Sequence, residues 1–123
     1  MPNKYASAVI VIELLVSGCA ASAKKNAAAI TGGDPDRGAS SISKYGCGTC
    51  HIIPGIAGAH GLVGPPLAGL ANRVYVANLP NAPENLTRWV QNPKSINETT
   101  AMPNVGVTPH DAVDIAAYLY SLK

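Results

Sequence analysis

Two cysteines and a histidine form the most reactive group of side chains in the sequence. They are Cys47, Cys50 and His51, in the run Cys47-Gly48-Thr49-Cys50-His51, which has the spacing C-x-x-C-H. Two thiols three positions apart on a short turn can add to the two vinyl groups of a haem, and the imidazole that follows can then bind the iron from the same side. The spacing therefore predicts covalent attachment of one c-type haem.

A C-x-x-C pair also occurs in thioredoxin-like redox proteins, in zinc sites and in structural disulfides. A redox pair needs a βαβ context, which the sequence lacks. A zinc site needs two further ligands at regular spacing, but there is no second cysteine pair, and the only histidines outside the motif are His60 and His110. A disulfide leaves His51 without a role. Haem attachment accounts for all three residues, and we expect His60 and His110 to face solvent, although either has the chemistry of an iron ligand.

The motif lies within a longer pattern of glycine, proline and methionine. Its parts are Gly38 before the motif, Gly64-Pro65-Pro66-Leu67 after it, the pair Asn92-Pro93, and then Thr100-Ala101-Met102-Pro103. In these features residues 34–123 resemble the small single-haem, or class I, cytochrome c family. The resemblance implies an all-α cytochrome c fold, in which three main helices and long loops wrap around one covalently bound haem. It also implies a bacterial single-electron carrier.

The resemblance assigns roles to individual residues. The carbonyl of Pro65 would accept a hydrogen bond from the His51 ring, which strengthens that imidazole as an iron donor. Met102 would be the second axial ligand, and its soft, neutral thioether would favour ferrous iron and raise the reduction potential. The alternatives are that Pro65 only forms a turn and that Met102 only fills the core.

Three further residues are candidates for the haem pocket. Arg73, shortly after the Pro65 loop, would pair with a haem propionate, because a carboxylate near the haem edge needs a fixed cation or donor. The alternative for Arg73 is an ordinary surface position. Tyr75 and Trp89 would line the pocket or donate to a propionate or to sulfur, and core packing alone is the alternative for both.

The sequence predicts three helices to position these residues. The first is expected from about Pro35 to Tyr45, with Asp34 as its cap. The second is expected from Ala82 to about Gln91, with Asn81 as its cap and Glu84 completing a capping box. The third is expected from Pro109 to about Leu122, with Thr108 as its cap. Glycine and proline are dense between residues 52 and 70, so a long irregular loop is expected there. No alternating strand pattern is present, which favours the all-α class.

Residues 1–33 precede the predicted haem domain. Lys4 is followed by a mostly apolar run to Val16, which is shorter than the roughly 20 residues needed to cross a bilayer and is typical of a signal peptide. Val16-Ser17-Gly18-Cys19 resembles the lipobox of bacterial lipoproteins, so residues 1–18 are predicted to be removed and Cys19 to be lipidated. Cleavage near residue 23, after Ala21-Ser22-Ala23, would instead release a soluble periplasmic protein.

This interpretation also predicts the role of the remaining N-terminal residues and the position of the domain boundary. We expect a flexible tether at residues 19–33 and the cytochrome c domain at residues 34–123. The domain would lie on the periplasmic side of a bacterial membrane, anchored through Cys19.

The charge of the chain limits its partners. The formal net charge is +2, and no basic cluster has aromatic neighbours, so nucleic-acid binding is not expected. From Asp34 onward the basic and acidic residues balance, which argues against a docking face made of a ring of lysines. Long-range steering toward a partner should therefore be modest.

These features predict an electron carrier rather than an enzyme. An iron with two axial side-chain ligands leaves no open position for a substrate. The expected partners are redox proteins such as a terminal oxidase or a quinol-oxidising complex, and the protein should be a monomer. The alternatives are a haem c electron-accepting subunit of a periplasmic dehydrogenase, or a peroxidase-like or gas-binding haem protein, which would need a vacant or weakly held distal position.

Overall fold

The computed structural model describes residues 4–123, with side chains described from residue 17 onward. The α-helices of this part are α1 (Lys4–Thr31), α2 (Pro35–Lys44), α3 (Pro83–Gln91) and α4 (Pro109–Tyr120). Short 3₁₀ helices span Cys47–Thr49, Leu70–Asn72 and Pro93–Ser95, and strands β1 (Tyr75–Val76) and β2 (Leu79–Pro80) form one small antiparallel hairpin. Among the described residues, no helix is both long enough and apolar enough to span a membrane.

The three helices expected in residues 34–123 are present as α2, α3 and α4, so the all-α prediction is confirmed. The Asp34 side chain caps α2 by accepting hydrogen bonds from the amides of Asp36 and Arg37. Thr108 caps α4 in the same way by accepting from the amide of Asp111. The β1–β2 hairpin was not predicted, because strands of two residues are too short to show an alternating pattern.

Helices α2 and α4 cross in close contact at Gly38. A side chain at this position would meet the backbone of Asp114 and the side chain of Tyr118, so only glycine lets the two backbones approach this closely. The Asp114 carboxylate, only 2% exposed, accepts hydrogen bonds from the Asp34 amide and from the Arg37 side chain. The crossing therefore combines close packing with a fully paired buried charge.

The second helix begins differently from the prediction. Ala82 occupies the cap position and makes no side-chain capping bond, so the expected cap at Asn81 is wrong. The Asn81 amide donates instead to the carbonyls of Leu70 and Arg73, each at 2.9 Å, and its oxygen accepts from Tyr120 at 2.6 Å. These tertiary partners satisfy the side chain and join the Leu70–Asn72 turn to the end of α4.

The flexible tether expected at residues 19–33 is also wrong, because residues 19–31 belong to helix α1. Alanine is the strongest helix former, and this segment is rich in it. Ala27 is 1% exposed and belongs to the core, and Lys24 pairs with Asp36 at 2.6 Å. Gly32 ends the helix in a left-handed conformation, as glycines after a helix commonly do.

The signal peptide predicted for residues 1–18 lies mostly outside the residues whose side chains are described, and it stays a prediction. The boundaries of the predicted domain stay predictions as well.

The long loop expected after His51 is present and wraps around the motif. Residues 50–69 contain neither helix nor strand, apart from a single bridge between Ile52 and His60. The loop is tied back to the motif by backbone hydrogen bonds from Gly61 to Gly48 at 3.0 Å and from Gly64 to Cys50 at 2.7 Å. It therefore forms one wall of the cavity described below.

Candidate functional site

A cavity of about 340 Å³ lies between helices α2, α3 and α4 and the loops after His51 and after Pro93. Most of its wall is aliphatic, with Ile42, Ile53 and Leu86 among the contributors. All eight residues predicted to contact the cofactor lie on it, namely Cys47, Cys50, His51, Pro65, Arg73, Tyr75, Trp89 and Met102. Residues more than fifty positions apart in sequence are thus brought around one largely apolar space.

The C-x-x-C-H residues form a single tight turn at this cavity. Gly46 adopts a left-handed conformation at the start of a 3₁₀ turn, and the amides of Cys50 and His51 both donate to the Cys47 carbonyl, at 3.2 and 3.1 Å. Cys47, Cys50 and His51 all line the cavity from this turn. Burial raises the pKa of the Cys47 thiol, so that thiol is neutral at neutral pH.

The His51 ring is held by the residue that the resemblance indicated. Its Nδ1 donates to the carbonyl of Pro65 at 2.7 Å, because a carbonyl can only accept. The proton therefore sits on Nδ1, and Nε2 keeps a lone pair that can bind a metal. The predicted His51–Pro65 hydrogen bond is present.

Gly64 has a role that the sequence reasoning missed. A Cβ at this position would lie 2.7 Å from Nδ1 and 2.8 Å from Nε2 of His51, well inside normal contact distance. The ring therefore lies directly on the backbone of Gly64, and the hydrogen bond to Pro65 fixes its orientation. The Gly-Pro pair was the available indication, since it placed a residue without a side chain directly before the acceptor.

Met102 belongs to a segment of the chain far from the C-x-x-C-H motif. It is half-buried, packs against the core and lies on the same cavity as His51. Its amide donates to the Thr100 hydroxyl at 3.2 Å, and Lys94 donates to the Thr100 carbonyl at 3.0 Å. The segment that carries Met102 is thus attached to the 3₁₀ turn at Pro93–Ser95.

The three remaining candidates lie on the cavity with different environments. The Arg73 guanidinium donates to the carbonyls of Pro66 and Ala68, so it fixes the Pro65 loop in addition to lining the cavity. Tyr75 is largely exposed at the cavity edge, and Trp89 is half-buried on α3. Tyr45 also lines the cavity and was not singled out as a site residue from the sequence.

Within residues 17–123, the structure offers no support for a metal site of cysteine and histidine alone. Cys47 and Cys50 are free thiols, and His60 and His110 are both exposed away from the cavity. Among residues 17–123, only His110, Asp111 and Asp114 come close enough together to share a metal ion. Both carboxylates in that group are already paired with Arg37 or Lys44.

The donor set fits a haem. Two thiols on one turn can form the thioethers, Nε2 of His51 is available as a nitrogen ligand, and the Met102 thioether is a soft second donor. The aliphatic wall suits a large apolar ring, and Arg73 is the one lysine or arginine on the cavity within the described residues. These residues would hold the group, which supplies a redox-active iron.

Comparison with known proteins agrees with this fit. A family model described as Cytochrome c matches residues 35–123. No curated protein and no solved structure matches the chain.

Proposed function

The chain belongs to the cytochrome c family, and we propose that it is a single-electron carrier whose haem iron is bound by His51 and Met102. Membership of the family means that the protein binds haem c covalently, and Cys47 and Cys50 are the cysteines of its C-x-x-C-H motif. Haem c in this cavity supplies an iron that takes up and releases one electron. The domain is thus a haem c electron-transfer protein, and the axial ligands, partners and location are the proposals.

One observation carries the ligand assignment. His51 and Met102 lie on the same cavity as the two thiols, and the His51 proton is fixed on Nδ1 by Pro65, which leaves Nε2 for the iron. With both axial positions filled by side chains, substrates and gases have no open coordination site. This supports a carrier over a peroxidase-like or gas-binding protein.

The Met102→Ala variant tests the ligand assignment. Loss of the thioether should lower the reduction potential and open the sixth coordination site, while the haem stays covalently attached, because the thioether bonds are untouched. Optical spectra of both redox states, redox titration and intact mass measure these effects together. An unchanged potential, or no new binding of carbon monoxide to the ferrous protein, would contradict Met102 as a ligand.

The rim of the cavity supports a particular kind of redox partner. The segments 52–72 and 99–109, which border the cavity, contain no Asp, Glu, Lys or Arg. Val63 is 72% exposed and Val105 is 45% exposed, and both residues line the cavity. We propose that the redox partner, such as a terminal oxidase or a quinol-oxidising complex, contacts these two apolar and uncharged segments of the rim, since electron transfer requires close approach to the cofactor edge.

Electrode surfaces provide a test that does not need the natural partner. The protein should exchange electrons faster at an electrode coated with methyl-terminated chains than at one coated with carboxylates, and raising the salt concentration should change the first rate little. Val63→Glu should slow exchange at the methyl surface, while Glu84→Gln on α3, outside the rim, should leave it unchanged. Faster exchange at the charged coating would contradict the proposed contact surface.

We further propose that the protein is exported and anchored to a bacterial membrane through lipid on Cys19. Cys19 is exposed on α1, and its thiol is free. The helical turns between Cys19 and Ala27 would make the connection to the domain short and stiff rather than flexible. Intact mass of the exported protein distinguishes an acylated Cys19 N-terminus from cleavage near residue 23, and Cys19→Ser should release the protein from the membrane fraction.

A further inference from the structure

The segment that carries Met102 has few attachments of its own. Within residues 101–107 the side-chain hydrogen bonds are local, from the Met102 amide to Thr100 at 3.2 Å and from the Gly106 amide to Asn104 at 3.0 Å. Met102 is half-buried and Val107 is buried, and the other residues of the segment are exposed. In the described part of the chain, no hydrogen bond joins residues 103–107 to another element.

Two side chains hold this segment at its ends. Before Met102, the Lys94 ammonium group donates to the carbonyl of Thr100 at 3.0 Å. After Met102, the hydroxyl oxygen of Tyr45 accepts from the amide of Thr108 at 3.4 Å. The segment between these two contacts spans only seven residues, so its ends set the position of the Met102 side chain.

Tyr45 is suited to this role by its place in the chain and by its bonding. It is the C-cap residue of α2, two positions before Cys47, and its ring lines the cavity. A hydroxyl has one proton and can also accept, and here the proton goes to the Asp111 carboxylate at 2.7 Å. The lone pairs are therefore directed at Thr108, and the hydroxyl joins the end of the Met102 segment to the helix that leads into the haem motif.

We propose that Tyr45 and Lys94 are positioning residues that keep the Met102 sulfur on the haem iron. The proposal rests on Met102 being the second axial ligand. Without the Lys94 contact the start of the segment is less restrained, and without the Tyr45 contact its end is joined only to α4, through the Thr108 cap. The iron–sulfur bond then opens more often while the haem stays attached through Cys47 and Cys50.

Cyanide binding to the ferric holoprotein measures this opening directly. Cyanide can bind only after the sulfur has left, so its limiting rate at high concentration reports how often Met102 departs. Tyr45→Phe keeps the ring and removes the hydroxyl, and Lys94→Gln removes the charge and keeps most of the length. Each single variant loses one hydrogen bond to the Met102 segment and should bind cyanide about threefold to fivefold faster. Tyr45→Phe also loses the bond to Asp111, which lies outside that segment. The double variant should show roughly the product, because the two contacts act at opposite ends.

Tyr120→Phe is the matched control. It also removes a tyrosine hydroxyl from a hydrogen bond to a side chain, at Asn81, but that bond lies away from the Met102 segment. This control should lower the thermal stability without changing the limiting cyanide rate. An equal acceleration in Tyr120→Phe would show that lost stability alone explains the effect, and would overturn the positioning role.

Two further outcomes are distinguishable. Unchanged cyanide rates in Tyr45→Phe and Lys94→Gln, with Met102→Ala much faster than wild type, would overturn the positioning role and leave Met102 as the ligand. A wild-type rate equal to that of Met102→Ala would show that Met102 does not bind the iron, and would overturn both proposals.

Discussion

Replacing Gly64 with alanine tests the placement of the axial histidine. The added methyl group would lie 2.7 and 2.8 Å from the two ring nitrogens of His51, whereas carbon atoms in good contact are about 3.5–4.0 Å apart. The ring carbon Cε1, which lies between these nitrogens, would be closer still, so the overlap exceeds about 1 Å. The ring cannot turn freely to relieve it, because Nδ1 is bonded to the Pro65 carbonyl and the backbone of His51 continues the turn at Cys47 and Cys50.

The size of the effect follows from this overlap. Overpacking of a rigid site costs about 1–3 kcal/mol, and for a domain of this size each kcal/mol shifts the melting temperature by about 4–8 °C. Gly64→Ala should therefore melt roughly 5–20 °C below wild type. If the ring moves away from Pro65, His51 also becomes a weaker donor to ferric iron, and the reduction potential should rise.

Thermal unfolding followed by haem absorbance, together with redox titration, measures both effects on the holoprotein. Ala57→Ser is a suitable control, since it adds one heavy atom to the same loop at an exposed position and should leave both values near those of wild type. If Gly64→Ala has the melting temperature and the potential of wild type, the His51 ring does not lie on Gly64, and the site geometry described above is incorrect.

Two further predictions concern the crossing of α2 and α4. Asp114→Asn should lower the free energy of unfolding by about 1–3 kcal/mol at neutral pH, because the carboxylate loses charge-assisted bonds from Arg37. The Arg37 side chain holds the pKa of Asp114 below its ordinary value, so this stabilisation is present above about pH 4 and is lost as the pH falls through the lowered pKa. Denaturant unfolding at several pH values should therefore show the free energies of unfolding of the variant and wild type converging in acid. A difference that stays constant with pH would contradict the pairing of Asp114 with Arg37. Gly38→Ala should also destabilise the fold, since about 1 kcal/mol gained in helix propensity is outweighed by contact with the α4 backbone. Ser40→Ala, at an exposed position of α2, should not destabilise the fold. A Gly38→Ala variant more stable than wild type would show that α2 and α4 do not cross at Gly38.

Local patterns in the sequence were sufficient for several parts of the structure. The caps at Asp34 and Thr108 and the proline after each of them predicted the starts of α2 and α4, because capping depends only on neighbouring residues. The C-x-x-C-H spacing predicted the haem site for the same reason, since the three reactive groups share one turn. The hydrogen bond from His51 to Pro65 was anticipated by resemblance to a family, and the structure contains it.

The expectations that failed depend on contacts between distant residues. Asn81 was a reasonable cap from its neighbours alone, but Leu70, Arg73 and Tyr120 provide better partners for its amide. Residues 19–31 resembled a tether because their sequence has no side-chain cap, and packing of Ala27 into the core is not visible in a local pattern. Gly64 and Tyr45 acquire their roles only from what lies beside them in the fold.

The features that the sequence predicted and those that it did not predict differ in how far apart along the chain the interacting residues lie. Turn geometry, capping and covalent spacing involve residues within a few positions of one another, so the sequence by itself determined the three domain helices and the group of Cys47, Cys50 and His51. The close contact of Gly64 with the His51 ring and the pairing of Asp114 with Arg37 depend on how the chain packs. Only the tertiary structure decided these, because each joins segments that the sequence keeps apart.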